Sequence, residues 1–183
     1  MITRLYNFLF GINDDKKIYL FSYGSNSIAQ LKERIKKEEI NYYPAYLNNH
    51  IRIFAGCSSK WNSGGVASVY PCKGEKIYGI ACELNEEEMQ KLDAFENGYT
   101  RTKTVICLEN DREVYGYIYV KQNNTFSYFP SETYLEAISK MLDDRSGYKD
   151  HCLRIRGLVN GKIINFGFWS KEDGFSVMKK KTH

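Results

Sequence analysis

Two stretches of this chain hold residues whose types and spacing could do chemistry. The first is Ile18-Tyr-Leu-Phe-Ser-Tyr-Gly-Ser-Asn26, continuing through Ser27 into Ile28–Ile35. Its apolar half, rich in aromatic and β-branched residues, reads as a buried strand. Gly24 breaks that strand, and Ser25, Asn26 and Ser27 are each good helix N-caps. Ile28, Leu31 and Ile35 then recur at helical spacing. Backbone N–H groups at a strand–turn–helix junction point out of the turn, and the helix dipole adds partial positive charge. Such a junction suits a carboxylate or a phosphate. The same residues equally describe a glycine that only turns the chain.

The second stretch is Asn85-Glu-Glu-Glu-Met-Gln-Lys-Leu-Asp-Ala-Phe-Glu96-Asn-Gly98. Asn85 with Glu88 three residues later is a capping-box start, and Asn97-Gly98 is a stop signal. Met89, Leu92 and Glu96 fall on one face of the predicted helix, so Glu96 should stand at the core-facing edge. Burial, and a place in the last turn against the dipole, would both push a carboxyl pKa upward, towards general acid–base work. A glutamate at a fraying helix end that reaches solvent would show the same pattern.

Other constellations carry little. The three histidines are scattered without ligand spacing, so no metal site is expected. Tyr23-Gly-Ser-Asn26 is not a Gly-x-Ser-x-Gly elbow, and the glycine patterns of nucleotide-binding loops are absent. Cys57 beside Ser58 reads as a spectator.

The elements that must position these residues follow from the pattern of the rest. At 183 residues a single domain is expected, with 1–17 and 172–183 as peripheral segments or tails. Tyr42–Leu47 and His50–Ala55 read as a hairpin about Asn48-Asn49, and Gly56–Gly65 as a loop whose Trp61 either covers a pocket or makes a satellite contact. Val66–Tyr70 and Glu75–Leu84 read as strands around a turn at Pro71–Gly74. Tyr99–Asn110 and Glu113–Lys121 form a second hairpin. Its latter strand has no polar face, as in a barrel wall. A helix is expected from Glu132 to Asp143, with Leu135, Ile138 and Leu142 inward and Tyr134 on the adjoining face. Arg145–Asp150 reads as loop, and Cys152–Val159 and Lys162–Trp169 as further segments, the latter of strand character.

The net charge of +4 is modest and owes much to Lys179–Lys181. The fifteen tyrosines and ten phenylalanines alternate in strands rather than interleave with Arg and Lys, which argues against nucleic-acid binding. No apolar run reaches membrane-spanning length, and Leu5–Ile12 lacks a following cleavage site. Five cysteines without a Cys-x-x-Cys pair read as reduced, mostly buried thiols of an intracellular, cytoplasmic protein.

In order along the chain, Phe21-Ser-Tyr-Gly-Ser-Asn26 resembles the Tyr-Gly-Ser-Asn signature of the γ-glutamylcyclotransferases. Gly64-Gly-Val-Ala-Ser68 and Tyr78-Gly-Ile-Ala81 resemble that family's central strands. Leu92-Asp-Ala-Phe-Glu96 falls where the family carries its catalytic glutamate, and Pro130-Ser-Glu-Thr-Tyr134 resembles its later substrate contact. The similarity runs from about residue 18 to 150. It implies an α+β fold, a small mixed β-barrel flanked by helices, and conversion of γ-glutamyl amino acids to 5-oxoproline and a free amino acid. It implies Glu96 as proton shuttle, with Leu20, Phe21, Ser22, Tyr23, Gly24, Ser25, Asn26 and Tyr134 around the γ-glutamyl head. No cofactor is implied, and a homodimer is read from the resemblance alone. Ser22 where the family often has Ala, and bulky Phe95 beside Glu96, are departures. Asn26 points to the free amino acid branch rather than the γ-glutamylamine or glutathione branches. The alternatives are one of those sister branches, a non-catalytic γ-glutamyl or small-molecule binder, and an interaction protein that pairs through its aromatic strands and its tail.

Overall fold

The computed structural model describes residues 17–145 and 152–176. The expectations for 1–16, 146–151 and 177–183 lie outside the described residues. Ile18–Ser22 forms β1, and Ile28–Ile35 forms α1, buried through Ile28, Leu31 and Ile35. Ser27 is the cap among the three candidates, its side chain accepting from Gln30 N.

Two long strands follow, β2 (Tyr42–Ser58) and β3 (Gly64–Leu84), joined by a 3₁₀ turn at Ser59–Trp61. Here the structure corrects the sequence reading. Tyr42–Ala55 is one strand rather than a hairpin, and Pro71–Gly74 does not end a strand. The pairing jumps from Asn48↔Lys76 to His50↔Pro71, so the turn-forming residues make a bulge. Asn49 and Gly74 take positive φ there, and Asn49 Oδ1 accepts from Gly74 N at 3.0 Å. A bulge needs the same conformations as a turn and bends the strand without reversing it. The expected loop at 56–65 shrinks likewise, because both strands run into it.

Helix α2 (Glu86–Asp93) has the predicted capping box. Then come β4 (Tyr99–Leu108), β5 (Glu113–Lys121) and α3 (Glu132–Arg145). The five strands close into a barrel in the order β1-β3-β2-β4-β5, in which β1 runs antiparallel to β3 and parallel to β5. The mixed barrel with flanking helices is as the resemblance implies. Leu20, Phe21, Leu47, Phe54, Ile80 and Ile106 are buried in one hydrophobic core together with Tyr134, Leu135 and Ile138 of α3.

A separate sheet follows: β6 (Leu153–Val159), β7 (Lys162–Ser170) and β8 (Gly174–Ser176). Asn160-Gly161, both at positive φ, makes the tight turn between β6 and β7. Gly174–Ser176, in the stretch read as tail, pairs with β7. Leu158 packs with Ile51 and Ile53 of β2, fastening this sheet to the barrel. None of the five cysteines is in a disulfide, but only Cys82 and Cys107 are buried, whereas Cys57 and Cys152 are exposed. The expectation of mostly buried thiols is therefore corrected. No helix among the described residues is long and apolar enough to cross a membrane.

The position of Tyr134 depends on a close approach at Gly65. The segment entering α3 lies against it, with Phe129 O accepting from Gly65 N at 2.9 Å. A Cβ on Gly65 would stand 2.2 Å from Tyr128 O. Gly65→Ala should therefore cost about 1–3 kcal/mol, as overpacking does, read as a lowered urea midpoint with an unchanged slope. An unchanged midpoint would contradict this packing.

Candidate active site

A cavity of about 420 Å³ opens at one end of the barrel, within the size range of small-molecule pockets. Leu20, Phe21, Ser22, Tyr23, Gly24, Ser25, Asn26, Glu96 and Tyr134 all line it, so the structure brings together every site residue picked from the sequence. Their parts differ. Leu20, Phe21 and Tyr23 are almost wholly buried core side chains. The Tyr23 hydroxyl is spent on the carbonyl of Tyr119. The Ser22 hydroxyl, the departure noted above, donates to Asn26 O at 2.8 Å and ties the turn closed. Among the described residues, the N–H groups of Gly24 and Ser25 have no hydrogen-bond partner. They are the free donors expected of an anion-binding turn.

Glu96 is not in a helix. Helix α2 ends at Asp93, and the chain continues through two tighter bonds, Phe95 N to Leu92 O and Glu96 N to Asp93 O. Glu96 therefore stands beyond the helix and not in its last turn, which corrects the sequence reading. The inward placement holds, since the Glu96 side chain is only 11% exposed. Its Oε1 accepts from Asn26 Nδ2 and from Arg34 Nη1, both at 3.0 Å. Arg34 Nη1 also donates to Asn26 Oδ1 at 3.2 Å. Oε2 has no partner among the described residues and is the oxygen left for a ligand.

Arg34 was missed in the sequence. Asn26, Gln30 and Arg34 are spaced i, i+4 and i+8, a polar stripe beside the apolar face of α1, and that spacing was the available signal. With the Gln30 amide oriented so that its oxygen meets Lys60 Nζ at 2.6 Å, its nitrogen meets Ser25 O at 3.2 Å and Asn26 Oδ1 at 3.1 Å. The network then runs from Lys60 through Gln30 and Asn26 to Glu96.

Tyr134, deeply buried on α3, accepts from Ala67 N at 2.9 Å, while Tyr99 donates to Ala67 O at 3.0 Å. Burial pushes the Tyr134 hydroxyl up to about 12, opposed by the Ala67 N–H, Arg52 and Ser25. It therefore keeps its proton at neutral pH. A Cβ at Gly24 would lie 3.3 Å from this hydroxyl, so a glycine leaves the space between turn and tyrosine open. Trp61 lines the same cavity, its ring 4.9 Å from that of Tyr134, and also packs against the core, so both of its readings hold in part. Phe95 is half exposed and lies 5.3 Å from the Arg34 guanidinium. Lys60 and Lys121 complete the charged lining, in which Glu96 is the sole acid among the described residues.

Fold and cavity together define a barrel in which, among the described residues, one carboxylate faces a strand–turn–helix cradle. The family profile for gamma-glutamyl cyclotransferase, AIG2-like, matches residues 20–136, and the chain belongs to this family. Its fold is similar to that of a gamma-glutamyl cyclotransferase (TM-score 0.63, 18% identity, 74% of this chain and 83% of that one). An uncharacterized protein from Homo sapiens is comparably similar (TM-score 0.62, 19% identity, 74% and 83%). A glutathione-specific gamma glutamyl cyclotransferase from yeast gives a TM-score of 0.53 at 14% identity, covering 73% and 90%. No curated protein matches the chain.

Two outcomes are expected from this geometry. Arg34→Met or Glu96→Gln alone should each destabilise by about 1–3 kcal/mol, because either leaves a mostly buried group without its partner. The double variant should cost little more than one, giving a coupling of about 1–2 kcal/mol in urea unfolding. Additive losses would show that the pair is not formed. At alkaline pH the folded chain holds the Tyr134 proton after the unfolded chain has lost it. Its contribution is intact below about pH 10 and is lost as pH rises towards 12. That amounts to about 3 kcal/mol. Tyr134→Phe should flatten that part of the stability profile, and an unchanged slope would contradict the burial of the hydroxyl.

Proposed function

We propose that this chain is a γ-glutamylcyclotransferase acting on γ-glutamyl amino acids, with Glu96 as the proton shuttle. The observation that carries the reading is the Glu96 carboxylate, pinned through Oε1 with Oε2 free, in one cavity with the unpartnered N–H groups of the turn. The substrate supplies its own nucleophile. Its α-amine nitrogen attacks the γ-carbonyl carbon and closes a five-membered ring, so orientation supplies much of the acceleration. Glu96 Oε2 takes a proton from that nitrogen and returns it to the departing amide nitrogen as the carbon–nitrogen bond breaks. Atoms balance without water or cofactor: one amide gives 5-oxoproline and an amine. The N–H groups of Gly24 and Ser25 stabilise the oxyanion, and Tyr134, its acceptor side taken by Ala67, donates its own proton to the γ-glutamyl head.

The lining charge supports a leaving group that carries a carboxylate, as a free amino acid does. Arg34, Lys60 and Lys121 outnumber Glu96, which suits a substrate bearing both the γ-glutamyl α-carboxylate and a second carboxylate on the leaving group. A γ-glutamylamine whose leaving amine has no carboxylate offers only the first.

The reading is tested by 5-oxoproline release from γ-Glu-Ala, γ-Glu-ε-Lys and glutathione. Wild type should be most active on γ-Glu-Ala. Glu96→Gln should lose about 10²–10⁴-fold in kcat, the usual worth of general acid–base catalysis, with its circular dichroism unchanged. Release confined to one of the other substrates would move the protein to a sister branch. Wild type as inert as Glu96→Gln on all three, with γ-Glu-Ala still bound, would leave a non-catalytic binder.

A further inference from the structure

A second cavity, of about 390 Å³, lies where the added sheet meets the barrel. Its described lining holds four cations, Arg52, Lys76, Arg154 and Arg156, against one acid, Glu75. Arg52 belongs to β2 and Lys76 to β3, whereas Arg154 and Arg156 stand on β6, beyond the residues that the family profile covers. The site is thus a joint product of the barrel and this chain's additional sheet, and it does not depend on the cyclotransferase reading.

Among the described residues its charges are poorly compensated. Arg52 donates Nε to Tyr23 O at 2.9 Å and Nη2 to Tyr78 O at 3.3 Å, but has no carboxylate partner among the described residues. Burial, with repulsion from Arg156 as a smaller cause, lowers its pKa to about 10. Arg156 reaches Glu75 Oε2 at 3.3 Å, yet its side chain is only 14% exposed and its Nε is buried without a partner. Burial lowers the pKa of Arg156 too, with Glu75 opposing and Arg154 reinforcing the fall. Arg154 lies over the Phe168 ring, 5.8 Å from its centroid, which orients it without neutralising it.

Holding like charges together in a partly desolvated space is costly unless an opposite charge joins them. Among the described residues Glu75, 40% exposed, supplies only one. Guanidinium groups present planar forks of donors that match phosphate oxygens in pairs, and three of them demand more than one negative charge. We infer that this cavity binds a compact, doubly charged oxyanion of the phosphate class between Arg52, Arg154 and Arg156. Inorganic phosphate and the head of a phosphate monoester share this chemistry.

Titration calorimetry at low ionic strength tests the assignment, with inorganic phosphate and glycerol 3-phosphate as probes and acetate as the singly charged control. The folded wild-type chain should bind phosphate at one saturable site and acetate far more weakly. Tighter binding of the monoester would identify an organic phosphate as the ligand. Equal binding would identify the free ion. Arg154→Gln with Arg156→Gln should weaken binding by about tenfold or more, given the strength of charge-assisted hydrogen bonds. Glu75→Gln should tighten it, and this variant serves if the double arginine variant fails to fold. Lys60→Gln with Lys121→Gln, in the other cavity, should leave it unchanged. Absence of saturable phosphate binding would overturn the inference, as would affinity that falls with the lysine pair and not with the arginine pair.

Discussion

The contact on which the site depends is the meeting of Arg34, Asn26 and Glu96. It joins the turn after β1, the far end of α1 and the segment beyond α2, across 62 positions of sequence between Arg34 and Glu96. Neither charge is well hydrated, since the two side chains are 16% and 11% exposed, so each is tolerable only in the other's presence. The geometry fixes more than charge. By occupying Oε1 from two sides, Arg34 and Asn26 settle which carboxylate oxygen faces the cavity and hold its plane. A carboxyl used as a proton shuttle needs this, because the gain from positioning is lost if the acid rotates.

Around that node tyrosine hydroxyls serve as structural partners of the backbone, Tyr23 and Tyr99 as donors and Tyr134 as an acceptor. Tyr23, Tyr99 and Tyr134 reach backbone groups of Tyr119 and Ala67 at the end of the barrel that the cavity opens. Burial keeps all three hydroxyls protonated well past their ordinary range. They remain neutral while satisfying backbone groups that would otherwise be left bare. Arg52 extends the arrangement outward. It holds Tyr23 O from behind the turn while facing the second cavity, so the wall shared by the two cavities is polar as well as apolar.

Much of this was legible in the sequence wherever the signal was local. The strand–turn–helix of 18–35, the Asn85–Glu88 capping box and the β4–β5 hairpin each rest on contacts within a few residues. The errors have one cause in common. Asn48-Asn49 and Pro71–Gly74 supply turn conformations, but a bulge in a long strand pair uses the same conformations, and only the cross-strand register distinguishes them. Asn97-Gly98 marked a stop, yet the α-helix closed at Asp93 and the chain tightened before reaching it. Glu96 faces inward as its spacing implied, but through that tightened turn and not through a helix face. Arg34, Lys60 and Lys121 were not singled out because their meaning is tertiary. The Asn26–Gln30–Arg34 stripe was visible, but what it faces was not.

The most direct measurement is a crystal structure with 5-oxoproline bound. The account predicts the lactam N–H donating to Glu96 Oε2, with Oε1 still held by Arg34 and Asn26, and the ring carbonyl accepting from the N–H groups of Gly24 and Ser25. Product bound outside this cavity, or seated in it with Glu96 Oε2 turned away from the ring nitrogen, would contradict Glu96 as the proton shuttle.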